Sequence, residues 1–336
     1  MPANFGYNRQ KVGYLRLLAG LAISGGALFL ALREVDLGLA LEALGQARPD
    51  LAGLALLLVL ASLVVRAWRW QVLFPTKARP PAGRLLNLVA LSYLVNNLLP
   101  GRAGDFARAG ALAYLEKLSF SLIFSTIVVE KLLDLAITVA VVGLLAGSLP
   151  IPQAMAVATR WAAALTVAGL VGLGLFGRFG PRVIGRVHLP AFAPVGRLLT
   201  AAADGAAVLS YARPLALALF WSAATWVLNG LVTLYLGLAF GLPLSFPASL
   251  LLIALVSLAM LVPASPGYIG VYHLSVVVVL ELLGFDRSRA FAFAFGSHLL
   301  IYVFGLNLFG LVGLWREALD VGSVLGLKPA GRRPSA

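Results

Sequence analysis

Three short stretches of an otherwise apolar chain carry residue types that could bind or move a charged group. The first is Asn96-Asn97-Leu98-Leu99-Pro100-Gly101-Arg102-Ala103-Gly104-Asp105-Phe106-Ala107-Arg108-Ala109. It sets two amides, two arginines and a carboxylate at the tip and return arm of an apolar run. The planar fork of arginine suits the oxygens of a phosphate. Pro100-Gly101 and Gly104 break the run and let a ligand approach the backbone closely. Asp105 can pair with Arg102 or Arg108 and hold it in place. In a plain cytoplasmic loop, the same arginines would only set topology.

The second stretch is Glu130-Lys131-Leu132-Leu133-Asp134. Glu130 and Asp134 share a helix face at i,i+4, and Lys131 reaches Asp134 at i,i+3. Ionisable groups inside a membrane span are costly unless they pair or face a cavity. The spacing predicts that Lys131 neutralises Asp134 locally. Glu130, Lys131 and Asp134 are therefore candidates for charge balance or a proton relay, with Glu130 foremost. They open an apolar run, so a helix end at headgroup level would also account for them.

The third stretch is Val262-Pro263-Ala264-Ser265-Pro266-Gly267-Tyr268-Ile269-Gly270-Val271-Tyr272-His273. Pro-Gly favours a tight turn. A helix restarting at Tyr268 would offer its positive dipole end to an anion. Ser265, Gly267 and Gly270 supply accessible backbone, and Tyr268, Tyr272 and His273 add hydrogen-bonding tips. The alternative is a proline kink without a ligand.

Other polar residues are isolated. His298 lies near Ser297 and Asn307 in an apolar run, where an interhelical hydrogen bond is the plain reading. Glu281 and His188 carry no pattern. The chain has three histidines and no cysteine. Disulfides, thiolate metal sites and cysteine nucleophiles are excluded, and no metal or cofactor is expected. Phosphate-binding P-loop, Gly-x-Ser-x-Gly and His-Glu-x-x-His patterns are absent, so no catalytic residue is assigned.

The elements that must position these stretches are membrane helices. The chain has 336 residues, of which 61% are hydrophobic and only 12% charged. Soluble domains run about 45–50% apolar and about 25% charged. A soluble or disordered chain of this composition is excluded. Lys and Arg number 26 against 13 Asp and Glu, a net charge of +13. These bases flank apolar runs, which points to topology signals and anionic lipid rather than nucleic acid.

A membrane helix needs about 20 apolar residues. Residues 14–32, 51–68, 132–149, 155–176, 214–240 and 290–315 qualify or nearly so. Two runs are broken: 85–99, stopped by Pro100-Gly101, and 247–284, interrupted around Ser265-Pro266-Gly267. Leu37, Leu41 and Leu44 share one face of an amphipathic segment suited to the membrane surface.

Basic clusters set the orientation. Arg66, Arg69, Lys77, Arg79 and Arg84 follow the second run. Arg178, Arg182, Arg186, Arg197 and Arg213 occupy a loop over 177–213, and Arg316, Lys328, Arg332 and Arg333 follow the last run. With all of these and the N-terminus cytoplasmic, run 85–99 must enter and leave from inside, and 247–284 from outside. The expected fold is all-α and polytopic, with about six full spans and two re-entrant hairpins, eight apolar segments in all. One hairpin from each side fits an inverted repeat. Full spans with proline kinks are the alternative. One domain is expected over 10–320, with a flexible basic cytoplasmic tail over 321–336.

The chain resembles the lysylphosphatidylglycerol synthase transmembrane (flippase-like) family across roughly residues 10–320. Three elements match in order: Asn97-Leu98-Leu99-Pro100-Gly101-Arg102-Ala103-Gly104-Asp105 with Arg108, then Glu130-Lys131-Leu132-Leu133-Asp134, then Pro263-Ala264-Ser265-Pro266-Gly267 with Gly270. The resemblance implies an inner-membrane protein that handles lipids. Bifunctional members also carry a soluble synthase domain, which is not expected here, so lipid aminoacylation is not expected either. Asp105 and His273 stand where the family commonly has Glu. The loss of a carboxylate at His273 disfavours a cationic headgroup and favours an anionic phospholipid or a polyprenyl-phosphate lipid.

The expected function is a flippase- or scramblase-like lipid transporter in the inner membrane, with both termini cytoplasmic. Arg102 and Arg108 would hold the phosphate, assisted by Asn96, Asn97 and the 267–270 backbone. Two alternatives stand: an intramembrane enzyme acting on a lipid-linked phosphate or sugar, and a non-catalytic membrane partner of a glycosyltransferase. The expected partners are membrane lipids with anionic headgroups and a lipid-modifying enzyme, without nucleic acid. The oligomeric state is open.

Overall fold

The structure is a computed structural model, and it describes residues 20–99, 103–145, 153–186, 193–261 and 264–319. Arg102, with Pro100, Gly101, Pro263, His188 and the tail over 321–336, lies outside the described residues. The described residues are helical and contain no strand. The elements are α1 (Gly20–Leu32), α2 (Leu37–Gly45), α3 (Pro49–Val72), α4 (Ala82–Leu98), α5 (Ala103–Glu116), α6 (Phe120–Leu145) and α7 (Gln153–Ile184). They continue with α8 (Ala193–Ala206), α9 (Ala212–Ala239), α10 (Phe246–Ala259), α11 (Val271–Leu282), α12 (Arg287–Ser297) and α13 (Asn307–Arg316).

Four stretches are long and apolar enough to cross a membrane: Pro49–Val72, Thr159–Ile184, Ala212–Ala239 and Arg287–Arg316. The last joins α12 to α13 through a π-helical segment, His298–Leu306. α6 has 26 residues, about 39 Å at 1.5 Å per residue. It carries Glu130, Lys131 and Asp134 in its middle. The sequence reading began this helix at Leu132 and put the three charges at its end. The ten residues Phe120–Val129 are also helical, and Ser125 and Thr126 turn inward and bond to the helix's own carbonyls.

Two further expectations are corrected. Arg66 and Arg69 belong to α3, not to a loop after it, and Arg69 is fully buried. The described residues of 177–213 are largely helical rather than a loop. α7 runs on to Ile184 and α8 packs against both α6 and α7. The crossing is close, since a Cβ on Gly205 would fall 1.9 Å from the Ser125 hydroxyl.

The two broken runs form hairpins of short helices. In the first, α5 folds back on α4 so tightly that a Cβ on Gly104 would lie 1.9 Å from the Ser92 carbonyl oxygen. In the second, α10 and α11 pack against one another. Neither α10, with 14 residues, nor α11, with 12, reaches the length of about 20 residues that crosses a bilayer.

Small residues let the helices around these hairpins approach. α13 lies against α4 where Gly310 and Gly313 face Ala90, Leu94 and Asn87 at separations no side chain could fit. α3 and α9 pack along their lengths, with the Trp68 and Trp221 rings 5.2 Å apart. Side chains start the shorter helices: Asp36 accepts from two N–H groups of α2, and Asp286 does the same for α12. The base of the first hairpin is tied by Arg84, which pairs with Glu116 at the end of α5 and with Glu317, 3.0 Å away, after α13. The base of the second is tied by Arg287, which holds Glu281 at 2.7 Å and donates to the Leu30 and Arg33 carbonyls at the end of α1.

The amphipathic segment forms α2, packed against α12. Leu37 and Leu41 stay exposed, as a surface-lying helix requires, whereas Leu44 turns in toward Gly296.

Candidate functional site

A buried ionic cluster joins three helices. Arg69 of α3 donates to both carboxylate oxygens of Asp134 on α6 and stands 3.2 Å from Glu130. Arg108 of α5 donates to both oxygens of Glu130, at 3.1 and 3.3 Å, and to Asp105 at 2.9 Å. Lys131 closes the chain at 3.2 Å from Asp105. Arg69, Arg108 and Glu130 are buried, so each charge depends on its partners. The Arg108 guanidinium also lies 4.6 Å from the centre of the Trp70 ring, and the Trp70 indole donates to Thr126 at 3.0 Å.

Beside the cluster lies a cavity of about 390 Å³. Both hairpins line it: Asn96, Asn97 and Asp105 from the first, Tyr268 and Tyr272 from the second. α6 contributes Lys131 and Asp134, and α3 contributes Arg66. The remaining wall is largely apolar, including Val59, Leu63, Leu132, Leu252 and Val256. A few placed polar groups in an apolar wall are the composition of a small-molecule site.

The amides tie the first hairpin to the last helix and close its own turn. Asn97 donates to the Tyr302 carbonyl at 2.9 Å and to the Asn307 side chain at 2.8 Å. Tyr302 lies in the π-helical segment, whose wider turn frees carbonyls for such partners. Asn96 accepts from the Gly104 N–H at 2.8 Å. Asn96 also lines the cavity.

The turn of the second hairpin is pinned from behind. Gly267 (φ 69°) and Gly270 (φ 88°) take the left-handed conformation that glycine tolerates. The helix restarts at Val271, three residues later than the sequence reading placed it. The Ser265 N–H donates to the Ser24 hydroxyl of α1, and the Gly270 N–H to Nδ1 of His273. A Cβ on Gly270 would meet the Ser24 carbonyl at 2.0 Å. His298 fastens the Gly267 carbonyl with a 2.7 Å hydrogen bond, and Tyr272 bonds Ser297 at 2.9 Å. The His273 and His298 rings pack 4.9 Å apart.

Of the residues singled out in the sequence, Asn96, Asn97, Asp105, Tyr268, Tyr272, Lys131 and Asp134 meet at the cavity. Arg108 and Glu130 belong to the ionic cluster beside it, and Ser265, Gly267, Gly270 and His273 are not part of its lining. The local Lys131–Asp134 pair is not formed. Lys131 turns to Asp105, and Asp134 is held by Arg69. Sequence reasoning missed Arg66, Arg69, Trp226 and Asn229. The i,i+3 spacing of Arg66 and Arg69 behind an apolar run was the available signal.

The model of the family described as "Lysylphosphatidylglycerol synthase TM region" matches residues 17–308. The chain belongs to this family. A member of the lysylphosphatidylglycerol synthase TM region family is a multi-pass membrane protein, in accord with the long apolar helices. The chain is also similar to the protein named Glycosyltransferase AglD of Haloferax volcanii, at 23% identity over 304 residues. The similarity covers 80% of this chain and 49% of that protein, so the chain spans about half the length of the curated relative it matches. No solved structure shows significant similarity to the chain.

Proposed function

We propose that the protein is a flippase- or scramblase-like transporter of an anionic lipid, a phospholipid or a polyprenyl-phosphate lipid, across the inner membrane. In this reading six helices span the bilayer, the two hairpins enter from opposite sides, and both termini are cytoplasmic. The observation that carries the reading is the cavity lined by both hairpins, with amides, tyrosines, two cations and two carboxylates set in a largely apolar wall. Such a wall accepts acyl chains while the polar groups replace the headgroup's water. The ionic cluster fixes α3, α5 and α6 around it, and the role of Glu130, Lys131 and Asp134 is to balance charge there.

Reconstitution into vesicles containing a fluorescent phosphatidylglycerol tests the reading. Added dithionite quenches only the outer leaflet, so the slow phase reports translocation. Protein-containing vesicles should lose the protected half faster than empty ones. Equal rates would overturn the proposal.

The name of the Haloferax volcanii relative supports a second reading, a membrane partner for glycosyl transfer on a lipid-linked substrate. Scoring the same lipid for chemical change and for sidedness separates the two. New chemical species without a change of leaflet would favour the second.

A further inference from the structure

We infer that Arg66 is the headgroup-selecting residue of the cavity and that it selects a phosphodiester lipid carrying one net negative charge. The inference rests on the lipid-handling reading above and deepens it. Its basis is the charge balance around the cavity. Arg69, Arg108 and Lys131 face Asp105, Glu130 and Asp134, three charges of each sign, all joined by contacts of 3.3 Å or less. That set is neutral and complete. Arg66 lines the same cavity within electrostatic reach of Asp134, but that carboxylate is already bonded by Arg69, and Arg66 forms no ion pair among the described residues. Its guanidinium stands 6.0 Å from the Tyr93 ring centre, and Tyr93 also lines the cavity.

Arg66 is therefore the surplus cation of the described cavity, half-buried and in an apolar wall. A charge in such a place gains from a counter-charge that also leaves water. One phosphodiester anion neutralises it, and the guanidinium fork can bond two of its oxygens. A zwitterionic headgroup brings an ammonium that the wall leaves unpaired, and an aminoacylated, cationic headgroup adds to the surplus. Asn96, a neutral amide, lines the same cavity. The apolar part of the wall requires the acyl chains as well as the headgroup.

The experiment is a binding measurement, so it does not depend on transport. Purified protein in detergent is titrated with phosphatidylglycerol, with phosphatidylcholine, and with glycerophosphoglycerol, the first headgroup without acyl chains. Wild type should bind phosphatidylglycerol at least about tenfold more tightly than phosphatidylcholine, the scale of one hydrogen bond to a charged group. Arg66→Gln should erase that preference, weakening phosphatidylglycerol binding about tenfold more than phosphatidylcholine binding, and Arg66→Lys should retain most of it. Because Arg66 holds no ion pair, the Gln variant should elute and melt as wild type does. An unchanged preference in Arg66→Gln overturns the inference, as does glycerophosphoglycerol binding as tightly as the whole lipid. Selective binding lost in Arg66→Gln, by a protein that moves no lipid in vesicles, upholds the inference and overturns the transporter reading alone.

Discussion

Arg69 and Arg108, on different helices, close on the same carboxylate, Glu130, from 3.2 and 3.1 Å. Glu130 is the keystone of the buried ionic cluster, because among the described residues each arginine has one other carboxylate partner. Glu130→Gln removes charge from both pairs and leaves buried guanidinium charge uncompensated. The expected loss is about 3–5 kcal/mol, the range for breaking a buried pair from one side. Heating in detergent followed by size-exclusion chromatography should show a large fall in Tm for Glu130→Gln. Asp50→Asn, which breaks an exposed pair with Arg48, should change little.

The hairpin of α4 and α5 depends on Gly104. Gly104→Ala puts a methyl group where the Ser92 carbonyl already stands, and backbone cannot yield as a flexible side chain does. A destabilisation of about 1–3 kcal/mol is expected, the usual range for overpacking. Gly110 is on the same helix with open space around its Cβ position. Gly110→Ala should be neutral or gain up to about 1 kcal/mol from helix propensity. The two alanine variants, melted side by side, test whether the close approach or the helix itself needs glycine.

Asn97 joins the first hairpin to the π-helical segment. Asn97→Ala leaves the Tyr302 carbonyl and the Asn307 side chain without this donor. A loss of about 1–3 kcal/mol is expected for the unsatisfied groups. Hydrogen exchange should speed up over 298–306 in the variant and stay unchanged in α9. Uniform exchange in both proteins would show that Asn97 does not support the segment.

Much of the fold was legible before the structure. Pro100-Gly101 and Ser265-Pro266-Gly267 marked the two hairpins because proline and glycine interrupt a helix wherever they occur. The sequence reading set Asn96 and Asn97 beside the 267–270 backbone, and in the structure Asn96 and Asn97 line one cavity with Tyr268 and Tyr272. The charge pairing was not legible. Spacing along one helix offers Lys131 to Asp134, but Arg69, 65 residues earlier, takes that carboxylate. Only the packing of α3 on α6 brings them together, and a burial that strong outweighs a local pair. Arg66 was missed for the same reason. Counted with Lys77 and Arg79, it read as a topology signal, while its helix faces the cavity. α6 was shortened because a helix with three mid-span charges looks, in sequence, like a helix that starts after them.

The central claim is that the cavity between the hairpins carries the lipid headgroup. Ser257 lines that cavity, is half-buried, and donates to the Ile253 carbonyl of its own helix at 2.6 Å. Ser257→Trp would fill the space with an indole while leaving the ionic cluster and both hairpin turns intact. The deciding measurement is the rate of fluorescent phosphatidylglycerol translocation in vesicles holding equal amounts of wild-type and Ser257→Trp protein with matched Tm. If the cavity is the route, the variant's rate falls at least about tenfold, the effect of a barrier raised by roughly 1.4 kcal/mol or more. An unchanged rate in the filled variant would contradict the claim.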